Sequence, residues 1–170
     1  MFVNRSGSPM PVGAGYHTPM RIPFAGGAED DCVMRAAVGE EAEFDERGLP
    51  TGRTLPLSQR FVRLRAVGLR MTGCAPIEAG FTVREIEVDG RPFRGTLVEN
   101  RSTGVRTFYE VDDRTVYWTI WNNGGGVPYC CPEPQSWWTN APNAADPAAE
   151  GFRAIAPGEK FAIRYRLWAE

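Results

Sequence analysis

The sequence predicts an all-β protein, and three features support that prediction. Nineteen glycines and fourteen prolines are spread over the 170 residues. Between them lie short stretches rich in Val, Ile, Phe, Tyr and Thr, which are the residues that strands favour. Several stretches alternate apolar and polar side chains, as a strand with one buried face does, and no segment has sustained helical periodicity. We therefore expect many short strands joined by turns.

The clearest strands lie in the second half of the chain. Residues 80–88 alternate well and are followed by Asp89-Gly90, a typical hairpin turn. Residues 115–121 are nearly all β-branched or aromatic, and residues 160–168 alternate apolar and charged side chains. Two further strands are expected between these, at residues 95–100 and 107–111.

The remaining segments have weaker signals. Residues 60–65 alternate imperfectly, and we interpret them as a strand. Residues 31–42 are the best candidate for a helix, although a glycine and several acidic residues disfavour it. Residues 139–150 are rich in Ala, Asn and Pro, which predicts a long surface loop.

Length and composition limit the compartment and the class of ligand. At this length we expect a single domain, residues 1–170. The formal charge of −2 and the pI of about 5.6 provide no basic surface for nucleic acid or anionic lipid. No apolar run is long enough for a membrane span, and the N-terminus lacks the apolar stretch of a secretory signal. We therefore expect a cytoplasmic protein.

The four cysteines predict buried free thiols. They have no Cys-x-x-Cys spacing, and the neighbours Cys130 and Cys131 would point to opposite faces of a strand. With one histidine in the whole chain, the sequence contains no recognisable cluster of metal ligands. We therefore expect no metal site.

The residues most suggestive of chemistry are the only histidine, His17, and Glu133. An imidazole donates a proton near neutral pH and a carboxylate accepts one, so together they would form an acid–base pair. Each also has an ordinary interpretation, as a loop histidine that bonds the backbone and as a solvated carboxylate. Pro132 and Pro134 stiffen the backbone on both sides of Glu133 and favour a functional role. We expect the two side chains to face each other across a ligand-sized gap.

The surroundings of these residues resemble a known family. Asn4, Pro9-Met10-Pro11-x-Gly13-x-Gly15-x-His17, Asp30-Asp31 and Leu49-Pro50-Thr51-Gly52 are similar to the central part of the aldose 1-epimerases, or galactose mutarotases. Cys131-x-Glu133-Pro134, Asn143, Gly151-Phe152 and Ala156-Pro157-Gly158-Glu159 resemble the C-terminal signature of that family. These pieces also occur in the family's order.

The resemblance implies a fold, a reaction and a set of residues. The fold would be a β-sandwich, part of the supersandwich of the galactose mutarotase type, and no cofactor would be required. Glu133 would remove the proton of the anomeric hydroxyl and His17 would protonate the ring oxygen. The family's sugar-binding aspartate would correspond to Glu78, which is one methylene longer.

The sequence also departs from the family. It begins where the family is already well into its sheet, so we expect an N-terminally truncated member in which Phe2-Val3-Asn4 is the tail of a strand. The family often has an aromatic pair after its histidine, whereas this chain has Thr18-Pro19-Met20. The family's second histidine has no equivalent here.

Aromatic side chains surround Glu133 in the sequence, and aromatic rings stack on the C–H faces of sugars. Trp118 and Trp121 are three residues apart on a strand, so one is expected in the core and the other in a cleft. We predict that Trp121, Tyr129 and Trp137 contact the substrate. Gln135 and Glu78 are predicted to bind its hydroxyl groups.

The sequence leaves three functions open. The first is an isomerase that interconverts sugar anomers. The second is a non-catalytic carbohydrate-binding or degenerate epimerase-like module, and the third is an isomerase or cyclase that acts on a non-sugar molecule. Because strand edges would be exposed, we also expect a homodimer formed by sheet extension or a partner that covers the missing N-terminal strands.

Overall fold

A computed structural model describes residues 1–170. The α-helix is Gln59–Ala66 (α1), and short 3₁₀ turns lie at Glu29–Asp31, Asn123–Gly125 and Ala141–Asn143. The strands in chain order are Phe2–Val3 (β1), Met10–Pro11 (β2), Met20–Arg21 (β3), Cys32–Ala36 (β4), Val38–Phe44 (β5), Pro50–Leu55 (β6), Glu78–Val83 (β7), Ile86–Val88 (β8), Arg91–Phe93 (β9), Gly95–Asn100 (β10), Arg106–Val111 (β11), Tyr117–Trp121 (β12), Tyr129–Gln135 (β13), Ala154–Ile155 (β14), Lys160–Phe161 (β15) and Tyr165–Ala169 (β16).

Two antiparallel sheets form the body of the molecule. The larger sheet has the strand order β3-β13-β12-β7-β5-β6, and the smaller one has the order β16-β11-β10-β4. Three two-stranded sheets, β1-β15, β14-β2 and β8-β9, complete the fold. The predicted all-β class is confirmed, and α1 is the only α-helix.

The main core lies between the two large sheets. It comprises 17 buried residues, among them Met34 from β4, Tyr109 from β11, Phe81 from β7 and Trp118 from β12. Burying an aromatic or aliphatic side chain of this size contributes roughly 1.5–3 kcal/mol. The inner face of the six-stranded sheet is therefore fixed by packing in the core. Side chains on its outer face remain available for a functional site.

Two smaller clusters cover other parts of the sheets. The β8-β9 hairpin packs Ile86, Val88 and Phe93 against Leu97 and Phe108 on the outer side of the four-stranded sheet. The predicted turn at the tip of this hairpin is confirmed, because Asp89 and Gly90 both have positive φ (52° and 75°). A second cluster, Ala42, Tyr117, Trp138 and Ala141, covers part of the outer face of the six-stranded sheet.

The helix predicted for residues 31–42 is wrong, because that segment forms β4 and β5. Cys32, Met34, Ala36 and Val38 are all fully buried. Their spacing of two is the period of a strand, and it carries the segment through the core. The crowded acidic residues of β5 lie on its partly exposed positions.

The strand predicted for residues 60–65 is also wrong, because this segment belongs to α1. Its two buried side chains, Phe61 and Leu64, are three residues apart and share one helical face. Phe61 packs edge-on against Phe81 with ring centroids 4.8 Å apart. The apparent alternation arose from arginines that lie on the exposed faces of the helix.

Two predicted strands are interrupted. Residues 80–88 divide into β7 and β8, which belong to different sheets, and residues 160–168 divide into β15 and β16. Apolar and polar residues continue to alternate across each break, so the hydrophobic pattern alone did not reveal where one strand ends and the next begins. Residues 139–150 contain no strand, as predicted, although Ala141 is fully buried. No helix in the structure has the length and apolar character needed to span a membrane.

Candidate active site

The candidate site lies on the outer face of the six-stranded sheet. Along β13, Cys130 points into the main core. Tyr129, Cys131, Glu133 and Gln135 alternate with it and therefore project from the opposite face. The Cys-x-Glu spacing thus places the thiol and the carboxylate next to each other on one surface.

The neighbouring strands extend this face in register. Trp121 of β12 is paired with Cys131 on one side and with Glu78 on the other. Thr119 is paired with Glu133 and with Gly80 in the same way. The side chain of Tyr117 lies where a Cβ atom of Gly80 would be, so a larger residue at Gly80 would displace it.

The two tryptophans of β12 are divided between the two faces. Trp118 is fully buried in the main core. Trp121 is half-buried on the outer face, with its ring centroid 6.1 Å from that of His17 and 6.0 Å from that of Tyr129. The period of two along a strand puts Trp118 and Trp121 on opposite faces of the sheet, as the sequence predicts.

His17 reaches this face from the segment between β2 and β3. That segment runs beside β13, where Gly15 forms a bridge with Gln135 and the Tyr16 N–H donates to the Pro134 carbonyl at 3.1 Å. A Cβ on Gly15 would stand 3.1 Å from Cγ of Gln135, so glycine permits the close approach. Two residues beyond Gly15, His17 lies above Cys131.

The structure brings His17 and Glu133 into direct contact. Nε2 of His17 lies 3.2 Å from Oε1 of Glu133. The side chain of Glu133 is 16% exposed and that of His17 is 64% exposed, so the pair opens to solvent on the imidazole side. The expected ligand-sized gap between them is therefore wrong.

The contact suits a reaction at one carbon atom. A hemiacetal carbon carries its hydroxyl oxygen and its ring oxygen, and these two oxygens are separated by that carbon alone. An acid and a base that serve both oxygens have to lie side by side. The short distance between His17 and Glu133 meets this requirement better than a wide gap would.

Cys131 completes the surroundings of the imidazole. Its Sγ lies 3.1 Å from Nδ1 of His17. Burial raises the pKa of this thiol to about 12, so it keeps its proton at neutral pH. An ionised Glu133 only accepts hydrogen bonds, so the nitrogen that faces it, Nε2 of His17, carries a proton.

Burial also raises the pKa of the Glu133 carboxyl group above its ordinary value. The charge of a protonated His17 acts in the opposite direction, and the negative charge of Glu78 raises the pKa further. A carboxylate with a raised pKa is a stronger base than one in water. The site thus strengthens Glu133 for proton abstraction.

The structure brings together three potential metal ligands, one of which is far from the other two in the sequence. The spacing of histidine and cysteines suggested no cluster of metal ligands, yet potential ligand atoms of His17, Cys131 and Glu133 all lie within 4.8 Å of one another. Imidazole, thiolate and carboxylate are donors for borderline-soft divalent ions such as Zn²⁺. Cys130 takes no part, because it faces the core.

Polar residues line a second part of the face. Glu78 and Thr119 border a depression of about 420 Å³ together with Phe44 and Thr139. Gln135 donates from Nε2 to Oγ1 of Thr119 at 2.9 Å. The amide of Gln135 therefore orients Thr119, which the sequence analysis did not select.

A larger depression lies on the other side of His17. It measures about 680 Å³ and is bordered by His17, Pro19, Arg21, Trp121, Pro128 and Tyr129. The hydroxyl group of Tyr129 accepts a hydrogen bond from the side chain of Asn123 at 3.3 Å. Trp121 and Tyr129 thus form an aromatic wall beside the imidazole.

Trp137 is not brought to either depression. It stacks on Phe152 with ring centroids 5.8 Å apart, and it packs against Gly13, where a Cβ atom would clash with its ring. Of the seven residues selected from the sequence, this one lies apart from the other six. Trp137 is four residues past Glu133, but the strand ends at Gln135 and the backbone then turns away from this face.

Three residues of this face were missed as functional candidates. Cys131 could have been found, because it precedes Glu133 by two residues on a strand and must share its face. Thr119 and Arg21 could not, because only the register between strands brings them beside Glu133 and Tyr129.

Comparisons with solved structures found proteins of similar fold. A galactose mutarotase-like protein from Clostridium acetobutylicum superimposes with a TM-score of 0.93 at 32% sequence identity, over 99% of this chain and 50% of that protein. A candidate aldose 1-epimerase from Escherichia coli K12 superimposes with a TM-score of 0.70 at 18% identity, over 98% of this chain and 53% of that one. The second likeness is one of fold alone.

The chain thus spans about half the length of these proteins. No protein-family model matches the sequence. Over 99% of its length the chain is thus similar in sequence and in fold to about half of the galactose mutarotase-like protein from Clostridium acetobutylicum.

Proposed function

We propose that this protein interconverts the anomers of an aldose by acid–base opening of the sugar ring. The observation that carries the proposal is the contact between His17 Nε2 and Glu133 Oε1, with its solvent-accessible side on the open face of the sheet. An acid and a base held this close can serve the two oxygens of one hemiacetal carbon.

In this scheme Glu133 takes the proton of the C1 hydroxyl group. The C1 carbonyl forms, the bond between C1 and the ring oxygen breaks, and the electron pair moves to the ring oxygen. That oxygen receives the Nε2 proton of a protonated His17, which becomes the neutral imidazole. Rotation about the C1–C2 bond presents the other face of the carbonyl, and the reverse transfers close the ring and return both protons. General acid–base catalysis of this kind contributes roughly 10²- to 10⁴-fold to a rate.

The surrounding residues support the choice of a sugar. Trp121 and Tyr129 offer aromatic surface to C–H groups, as in many carbohydrate sites. Glu78 and Thr119 offer acceptors and a donor for hydroxyl groups on the other side of Glu133. The scheme assigns both proton transfers to side chains, so it requires no cofactor.

Polarimetry on freshly dissolved α-D-galactose and α-D-glucose tests the proposal. We expect faster equilibration with the wild-type protein and loss of at least 100-fold of the acceleration in Glu133→Gln and in His17→Gln. Glu87→Gln is the matched control, because Glu87 is an exposed residue of β8 away from this face. Full activity in Glu133→Gln would exclude the scheme.

A parallel assay in EDTA tests whether an ion at the three donor atoms takes part. We expect no change in the rate. Loss of activity in EDTA and its recovery with added Zn²⁺ would replace the acid–base scheme with a metal-assisted one.

A non-catalytic carbohydrate-binding module is the second candidate. It is favoured by the large exposure of His17, since an open site excludes little water. It predicts saturable binding of a sugar in calorimetry with no faster equilibration in polarimetry. The third candidate, a non-sugar isomerase or cyclase, would use the same acid–base pair on a more apolar ligand. Met20 and Trp138 offer such a ligand no surface, because both are buried in core clusters.

A further inference from the structure

Arg21 introduces a positive charge into the depression beside His17. It belongs to β3, the edge strand of the six-stranded sheet, and is paired in register with Tyr129. Met20, its neighbour, points into the main core. Arg21 therefore projects from the same face as Tyr129 and Glu133, and it borders the depression of about 680 Å³.

The guanidinium group of Arg21 has no partner within the protein. It takes part in no salt bridge, and none of the side-chain hydrogen bonds uses it, whereas Arg47, Arg53 and Arg166 each pair with a nearby carboxylate. Glu133 is four residues along β13 from Tyr129, or about 13 Å at the rise of a strand. An unpaired arginine beside an aromatic wall is a ready site for an anion.

The order of the charged groups on the face matches the order of atoms in a sugar. This step rests on the proposed function, in which Glu133 serves the C1 hydroxyl oxygen and His17 serves the ring oxygen. In a hexose the ring oxygen is bonded next to C5, which carries C6 outside the ring. A pyranose held this way directs C6 beyond His17, away from Glu133. Arg21 lies on that side of His17.

We propose that Arg21 binds an oxyanion on C6 of the substrate, so that the preferred substrate is an acidic aldose. Two kinds of sugar present such a group, the uronic acids with a carboxylate and the aldose 6-phosphates with a phosphate. The planar fork of a guanidinium group forms two parallel hydrogen bonds with either anion. Trp121 and Tyr129 then contact the apolar side of the ring between the two charged ends.

Anomer equilibration of D-glucose, D-glucuronate and D-glucose 6-phosphate tests the inference, each corrected for its uncatalysed rate. We expect kcat/KM for at least one acidic sugar to exceed that for glucose by roughly 10- to 100-fold, the range for a hydrogen bond to a charged group. The better acidic substrate identifies the anion. Added salt should reduce the preference.

Variants assign the preference to Arg21. In Arg21→Gln we expect the ratio of kcat/KM for the acidic sugar to kcat/KM for glucose to fall to about one. Arg91→Gln is the control, because it removes the same charge from the β8-β9 hairpin on the outer side of the other sheet. An equal loss in both variants would reduce the effect to net charge and overturn the inference.

The remaining outcomes separate this inference from the proposed function. Acceleration of glucose without preference for either acidic sugar would refute the role of Arg21 and leave the isomerase intact. Failure to accelerate any of the three would refute the isomerase. Calorimetric binding of glucuronate and glucose 6-phosphate to the wild type and Arg21→Gln would then decide the anion site by itself, with equal affinities refuting it.

Discussion

The thiol of Cys131 and the imidazole of His17 lie 3.1 Å apart although the residues are separated by 114 positions in the chain. The thiol approaches Nδ1, on the side of the ring away from Glu133. Histidine then has a hydrogen-bond partner on each nitrogen. The Nε2 side of the ring is thereby held towards Glu133, where the proposed reaction needs its proton.

This contact predicts a positioning role for Cys131. Cys131→Ala removes the hydrogen-bond partner of Nδ1, and we expect kcat/KM to fall about 5- to 10-fold, the value of one hydrogen bond. Cys131→Ser keeps a donor and should stay within threefold of the wild type. Polarimetric rates, together with the pH dependence of each variant, measure the effect. Equal losses in the two variants would indicate a packing defect instead.

The raised pKa of Glu133 predicts the pH dependence of activity. The base has to be ionised, so kcat/KM should rise with pH along an acidic limb whose midpoint lies above 4.5, the ordinary value for a glutamate. Because the charge of Glu78 contributes to the increase, Glu78→Gln should move the midpoint to lower pH. Rates measured from pH 4 to 8 test this, and an unmoved midpoint in Glu78→Gln would contradict it.

The same pKa predicts a conflict between activity and stability. Burial favours the neutral form of Glu133, so the folded wild type loses stability as the pH rises from about 4.5 through the raised pKa. Glu133→Gln cannot ionise and avoids this loss. We expect it to be more stable than the wild type at pH 7, with a higher Tm. The advantage should disappear near pH 4, and thermal unfolding at both pH values measures it.

Two tryptophans should respond differently to substitution. Trp121→Ala removes an aromatic wall of the site, so we expect weaker sugar binding with little change in Tm. Trp137→Ala removes a ring packed on Phe152 and Gly13. It should lower the free energy of unfolding by about 2 kcal/mol, less than the 3–5 of a fully buried tryptophan, and leave binding unchanged. Calorimetry and chemical denaturation measure both properties, and weaker binding in Trp137→Ala would return this residue to the site.

The uncovered edge of the four-stranded sheet predicts self-association. β16 is its outer strand, and Tyr165 and Leu167 there are 48% and 50% exposed. Pairing of two β16 strands would give a symmetric dimer. Light scattering should then report twice the chain mass of 18.8 kDa, and Leu167→Lys should reduce it to the monomer. A monomeric wild type would leave a different partner as the remaining expectation.

Much of the local structure is determined by the amino-acid order. Alternation and β-branched residues predicted the strands around residues 95–100, 107–111 and 115–121, and the Asp89-Gly90 turn followed from local backbone preference alone. Strand period also divided Trp118 from Trp121 and Cys130 from Cys131. These features depend on neighbouring residues, so a sequence pattern can report them.

The helix at residues 59–66 and the strands at residues 32–44 were decided by burial in the main core, which overrode weak local signals. Likewise, the resemblance named His17 and Glu133, but only the pairing of β12, β13 and β3 places Thr119, Arg21 and the Cys131 thiol around them. The direction of the chain after Gln135 places Trp137 against Phe152 and Gly13. Contacts between residues more than a hundred positions apart depend on strand register and loop path, and no local pattern encodes those distances.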